Sequence, residues 1–445
     1  MKHKILASLV SLIVLCACSS DDDNIGGSNP PTELPLELAK TYGGTKNDRA
    51  QSIVKTIDGG YAILGYSQSA DGDIDDKNNE SFDYWVLKFN GTHEIEWSKT
   101  YGGSDDDRGN AIIQTQDGGY AILGYSSSND GDVTENFGAQ DYWIAKLDSN
   151  GNLSWQKSYG YLGSDIGNTI LQANDGGYLI TGVLDVTASG GAGNTRQSNQ
   201  RHAGGDYWAI KLNSSGNREW SRYYGGSFTD TPFDAIQTED SGYILVGSSD
   251  SDDVDISNNI GAYDFWVIKI SENGTLIWEK SFGGTEIDEA RSIVESGDGN
   301  YLITGDTRSS DVQVSTNKGA ADLWLIKISP TGNLIWEKTY GGSSFDVARS
   351  IQKSNNNTFI ISGSSRSADG DVDENKGQND AWVLEVNETG TLISQQTIGG
   401  SQIDFCYDAI ILNNNTKIAV GESSSSDGDI EENKGFTDLL IVKTK

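Results

Sequence analysis

Histidine, cysteine, proline and positive charge are all scarce in this chain. Three His and three Cys in 445 residues leave no material for a His-rich zinc site or a disulfide framework. Only 32 Lys and Arg stand against 65 Asp and Glu, a formal net charge of −33. No basic surface is left to displace counterions from phosphates, so a general nucleic-acid binder is excluded. No segment keeps a 3.6-residue apolar period long enough for a helix. The apolar run over residues 5–17 is too short to span a bilayer. Proline is limited to 5 residues while glycine reaches 54, well above the usual ~7% of a chain. Eleven Trp and nineteen Tyr supply enough aromatic surface to bury a core and argue against disorder.

The N-terminus carries an address. Lys2 and Lys4 precede the apolar run, which ends in Leu15-Cys16-Ala17-Cys18. This box resembles the bacterial lipoprotein signal motif, in which an aliphatic residue and small residues lead to the lipidated cysteine. The resemblance implies removal of residues 1–17 as a signal peptide and acylation of Cys18. An ordinary secretory leader with an incidental cysteine is the plainer alternative. Residues 18–35 then form a flexible acidic, Gly- and Pro-containing tether. Its run Asp21-Asp22-Asp23 looks like the export tag that sends some lipoproteins to the outer face of the outer membrane. The expectation is an outer-membrane lipoprotein facing the exterior, held to the membrane through its lipid. Otherwise the aspartates only keep the tether soluble.

Length alone suggests about three domains, but self-similarity overrules it. A Tyr-Gly-Gly-like landmark begins at Tyr42, Tyr101, Tyr159, Tyr224, Phe282, Tyr340 and Ile398, at intervals of 59, 58, 65, 58, 58 and 58 residues. In repeat two, Ala111 to Thr115 reads as a strand and Asp117-Gly118-Gly119 as a turn. Tyr120 to Tyr125 is a second strand, followed by a long polar loop. Tyr142 to Leu147 is a third strand, Ser149-Asn150-Gly151 a turn and Leu153 to Tyr159 a fourth. Aromatic and β-branched residues fill the strands, and Gly, Asn and Asp bound them. Four strands per ~58 residues, seven times over, is the signature of an all-β, seven-bladed β-propeller with four antiparallel strands per blade. The first segment of the body, Leu36 to Tyr42, matches strand four, and the last, Asp438 to Lys443, matches strand three. The N-terminal strand is thus expected to pair with the C-terminal strand and close the ring of residues 36–445 as one monomeric propeller, which removes two exposed edges.

The repeat text resembles the SBBP class of bacterial β-propeller repeats: a Trp strand, Gly-Gly-Ser/Thr, a spaced Asp, then an aliphatic strand ending in Gly. Trp336, Gly341, Gly342, Asp346 and Gly363 carry it. The strand three-to-four segment, as in Lys146 to Trp155, has a weaker likeness to the tryptophan-docking repeats of quinoprotein dehydrogenases. Neither resemblance implies one activity, because propellers host many unrelated functions.

Every Trp lies in a repeat, six in strand three and five in strand four; blade-to-blade packing accounts for them, with a carbohydrate platform as the alternative. Two aspartates recur in all seven units, one after each landmark (Asp48 to Asp404) and one before each strand three (Asp83 to Asp438). Such recurrence fits acceptors of backbone N–H bonds in turns. The long loop adds a sharper pattern. Asp130, Asp132 and Asp141 match Asp253, Asp255 and Asp264, then Asp369, Asp371 and Asp380, then Asp427, Asp429 and Asp438; repeat one keeps Asp71 and Asp73. Hard cations need several oxygen ligands at close range, which Asp-x-Asp spacing supplies, so these residues are calcium candidates. The run Asp369, Asp371, Asp373, Asp380 resembles positions of an EF-hand loop. Glu374 at the glycine position and the lack of flanking helices depart from that pattern. Solvated Asx-turns are the other reading. In an up-and-down blade the strand two-to-three loop and the inter-blade link open on one face, so one acidic, loop-rich face and one plain face are expected.

Repeat three breaks the symmetry. Its loop, residues 183–205, replaces the Asp-Gly-Asp text with Gly, Ser and Asn plus Arg196, Arg201 and His202. On so acidic a face this basic patch is a candidate grip for a glycan carboxylate or sulfate, or for a partner protein; a tolerated surface insertion is the alternative. His93 lies in a turn, and Cys406, the only cysteine of the body, has no His nearby in sequence and reads as inert. No Ser-His-Asp order, phosphate loop or zinc motif is present, and no carboxylate pair stands out from the many. The composite expectation is a non-enzymatic, surface-anchored module binding extracellular glycan or protein through the acidic loop face. The alternatives are a polysaccharide hydrolase or lyase using a carboxylate pair, and a structural subunit of a cell-surface assembly.

Overall fold

The strongly alternating repeat text becomes a ring of seven four-stranded sheets. The computed structural model describes residues 32–194, 202–354 and 356–445. Blades one to six occupy residues 48–101, 107–159, 166–224, 230–282, 288–340 and 346–398. Blade seven takes three strands from residues 404–444 and its outermost strand from Leu36–Tyr42, which pairs antiparallel with Asp438–Thr444. The expected closure is thus realised, with Thr41 opposite Leu440. Two differences extend it. Thr32–Glu33 pairs parallel with the outer strand of blade six, and Leu34 is buried there, so residues before Leu36 also belong to the body. A four-residue helix, Val186–Ser189, sits in the repeat-three insertion, its N-cap Asp185 accepting the Ala188 N–H.

Blade two shows the order of strands from channel to rim: Asp107–Gln114, Tyr120–Ser126, Asp141–Leu147 and Leu153–Tyr159. The second and third strands are covered on both faces by neighbouring blades, which is why nearly every residue in them is buried. The strand-three tryptophans Trp85, Trp143, Trp208, Trp266, Trp324 and Trp382 are all fully buried. An aromatic ring from the preceding blade packs on several of them, with centroids 4.6 Å apart for Tyr84–Trp143 and 4.5 Å for Tyr207–Trp266. Outer-strand tryptophans pack instead on the turn glycine of the next blade, as Trp155 does on Gly216. Both sets of rings hold blade to blade.

Each inner strand carries a one-residue register shift, after its third residue in six blades, for example between Ala50 and Ser52 and between Ala290 and Ser292, and after Gly167, the second, in blade three. Such a bulge sharpens the local twist. It presses the inner strand onto the glycine near the end of strand two: a Cβ on Gly305 would stand 2.9 Å from the Ala290 Cα. The recurring Gly is therefore a packing requirement of the bulge.

The tight-turn end is plain. Lys88, Lys146, Lys211, Lys269 and Lys327 run out from strand three, buried, to the turn acids Asp58, Asp117, Asp175, Asp240 and Asp298 at 2.6–2.9 Å. Burial raises the pKa of Asp58, but bonds from Lys88, Thr56 and Gly60 outweigh it and hold the acid down at about 2.

Candidate functional site

At the opposite end, carboxylates staple the long loop to the neighbouring inter-blade link in every blade but the third. Asp71 Oδ1 accepts the Thr45 N–H at 2.8 Å, and the same bond joins Asp130 to Ser104, Asp253 to Ser227, Asp369 to Ser343 and Asp427 to Ser401. The second acid of each pair accepts the first landmark glycine: Asp73 from Gly43 at 2.9 Å, Asp132 from Gly102, Asp255 from Gly225, Asp371 from Gly341 and Asp429 from Gly399. Loops and links therefore share one face, as the up-and-down topology requires. Asp373 is exposed at its margin.

The positive charges on this face come from the chain itself. Lys318 reaches Asp371, Lys376 reaches Asp429 at 2.9 Å, and Lys434 reaches Asp73 at 2.6 Å, each crossing to the next blade. Where Gln313 replaces the second acid, its junction partner is Ile260, so charge is absent from both sides together. Buried Lys77 meets Asp83 at 3.0 Å in blade one. His202 is turned inward onto Asp206 at 2.6 Å with its side chain 3% exposed. Burial opposes its charge, but the Asp206 bond wins and raises the imidazole pKa above its usual value. Arg196, Arg201 and Cys18 lie outside the described residues. Among the described residues, no group of three or more His, Cys, Asp and Glu side chains stands where it could hold a metal ion.

Beneath the staples each junction buries a pair of aspartates. Asp288 is satisfied by the Gly284 N–H at 2.7 Å and by Thr307 and Ser309 hydroxyls. Its partner Asp264 accepts the Ile260 N–H at 2.5 Å through Oδ2, while its buried Oδ1 has no hydrogen-bond partner. The same oxygen is unpartnered in Asp141, Asp322, Asp380 and Asp438. Desolvation pushes Asp264 up to about 7 and Asp141, Asp322, Asp380 and Asp438 up to about 6.

The channel through the ring was not legible as a site. Its walls are the bulge residues of the seven inner strands, Gln51, Asn110, Asn168, Phe233, Arg291, Arg349 and Tyr407, around a cavity of about 500 Å³. The Arg291 guanidinium lies 4.1 Å from the Phe233 ring and pairs with Glu289 at 2.8 Å. Asp234 and Asp408 are built into the wall. Asp408 accepts from Ser350 at 2.7 Å, Ala409, Ile53 and Ser52. Cys406 is fully buried in the innermost strand of blade seven, and burial pushes its thiol pKa up, so it is no nucleophile.

Fold and site together define a seven-bladed β-propeller with an acidic, stapled loop face. No protein-family model matches the chain, and no curated protein matches it. Solved structures do. The WD40 β-propeller domain of Doa1 aligns over 93% of this chain and 97% of its own, at 12% identity and a TM-score of 0.51. The Neurospora crassa Pan2 WD40 domain aligns over 93% and 97%, at 8% identity and 0.49. A putative 6-phosphogluconolactonase from Bacteroides fragilis aligns over 83% and 91%, at 13% identity and 0.41. At these identities the likeness concerns the fold alone.

Proposed function

We propose that the protein is a lipid-anchored module on the exterior of the outer membrane that binds extracellular glycan or protein through its loop face, without turnover. The observation that carries this reading is the division of the ring into two unlike ends. Every long loop and inter-blade link gathers at one end, and the other holds only tight turns. Thr32 opposite Ser394 places the first described strand on the outer edge of blade six, parallel to that blade's outer strand. The Asp-x-Asp carboxylates of the long loops are committed to backbone N–H groups and lysines, an arrangement suited to a rigid recognition surface.

The test uses the full chain in detergent against panels of soluble polysaccharides and envelope proteins, reading retention and product release together. Retention with no new reducing or unsaturated ends is the expected result. Released oligosaccharides would replace this reading with a hydrolase or lyase, and recovery only in a fixed stoichiometric complex would replace it with a structural subunit. Intact-mass measurement of the membrane-extracted chain checks the anchor: an acylated N-terminus at Cys18 is expected, and its loss in Cys18→Ser follows.

A further inference from the structure

The junction between blades two and three departs from the common pattern at four slots at once. Four residues before the strand-three aspartate, three other junctions carry Lys318, Lys376 or Lys434; here stands Phe137. The second landmark glycine, present as Gly44, Gly103, Gly226, Gly284, Gly342 and Gly400, is here Tyr161. The small hydroxyl residue that follows it in all six other units is here Leu162. The first residue of strand four, Leu or Ile in every other blade, is Arg218 in blade three. All four side chains line one groove of about 620 Å³ on the outer side of the ring, with Lys157 and Glu135 beside them.

Part of this change is a release of constraint. A Cβ at Gly284 or Gly103 would stand 2.5 Å from the carboxylate oxygen of the first long-loop acid, Asp311 or Asp130. Blade three has no such loop, so a side chain fits, and the Tyr161 ring packs 5.8 Å from Trp208. Released constraint alone predicts small or polar replacements on a surface this acidic. It does not account for Phe137 at 50% exposure and Leu162 at 68%, nor for a guanidinium that replaces a leucine and lies 3.5 Å from the Tyr161 hydroxyl. Two cations against one acid face the groove of a chain carrying −33.

We propose that this groove binds a carboxylated sugar unit of an acidic polysaccharide. The rings of Phe137 and Tyr161 offer apolar faces to the C–H side of a pyranose, and Arg218 with Lys157 meets the carboxylate, a pairing that the planar guanidinium favours. The volume falls within the range of small-ligand pockets, ~300–1,000 Å³. This proposal rests on the binding-module reading and narrows it to one junction and one ligand class.

The test is calorimetric titration of the full chain with oligogalacturonate, its carboxyl-reduced neutral form and a sulfated oligosaccharide of similar length. Arg218→Leu restores the residue type of the other six blades and so keeps the fold; Phe137→Ala removes an exposed ring. The expected result is binding of oligogalacturonate, weakened about tenfold or more in each variant at an unchanged unfolding midpoint, and none of the neutral form. Equal affinity in wild type and both variants, preference for the sulfated probe, or no binding of oligogalacturonate would each overturn the proposal. Retention of a neutral glycan or of a protein would do so while leaving the binding-module reading standing.

Discussion

Glycine at each junction is fixed by the acids around it. At Gly283 a Cβ would stand 2.5 Å from both Asp264 Oδ1 and Asp288 Oδ2, so the landmark's first glycine lets two carboxylates approach one backbone. A glycine Hα here faces Asp264 Oδ1, which has no hydrogen-bond donor, and this Cα–H···O contact offsets part of the missing hydrogen bond. The second glycine has a different reason, the Asp311 carboxylate and the Ser309 Cβ, each 2.5 Å from a Cβ on Gly284. Gly284→Ala must therefore displace a stapled loop, and we expect a loss of about 1–3 kcal/mol, as for overpacked sites, read from the midpoint of urea unfolding. An unchanged midpoint would show that the loop yields freely and that the staple contributes little.

At the scale of the element, the Asp-Gly-Asp loop is a turn fastened by its own chain. Both its acids accept backbone N–H groups of the adjacent link, and at three junctions a lysine from the preceding blade supplies the countercharge. Removal of metal with EDTA followed by calcium should accordingly move the unfolding midpoint by no more than about 2 °C; a rise of ten or more degrees would assign these loops to the metal, because a ligand held only by the folded state stabilises it. The strands and turns of this loop's blade were readable from period, Asp-Gly-Gly text and aromatic alternation. The lysine clasps were not, because Lys376 and Asp429 are joined only once the blades are stacked side by side. Nor was the inner-strand bulge, since its extra residue is Gln51 in one blade and Phe233, Arg291 or Tyr407 in others. Tyr161 and Arg218 did leave a signal, visible when every slot of the seven repeats is compared, but the length of the repeat-three insertion drew attention to Arg196, Arg201 and His202 instead.

Over the whole molecule these local devices combine into a pH response with a definite sign. Burial raises the folded-state pKa of Asp141, Asp322, Asp380 and Asp438 to about 6, and of Asp165 and Asp264 to about 7. A group raised on folding stabilises the fold fully below its unfolded pKa, near 4, and loses that contribution as pH rises through 6 to 7. The turn acids act in the opposite sense: Asp58, Asp117 and Asp240, held at about 2, stabilise the fold above pH 4 and fail only as pH falls towards 2. The two sets leave a stability maximum near about pH 4, and stability declines as pH rises towards 7. Because the junction acids recur around the ring, their contributions accumulate, and the thermal midpoint at pH 5 should exceed that at pH 8 by about 5 °C or more. Asp264→Asn, which removes one titrating group while keeping its size, should reduce that difference. A midpoint that rises steadily from pH 5 to pH 8 would mean that the junction aspartates are ionised in the fold and that cations from solution meet their unpartnered oxygens.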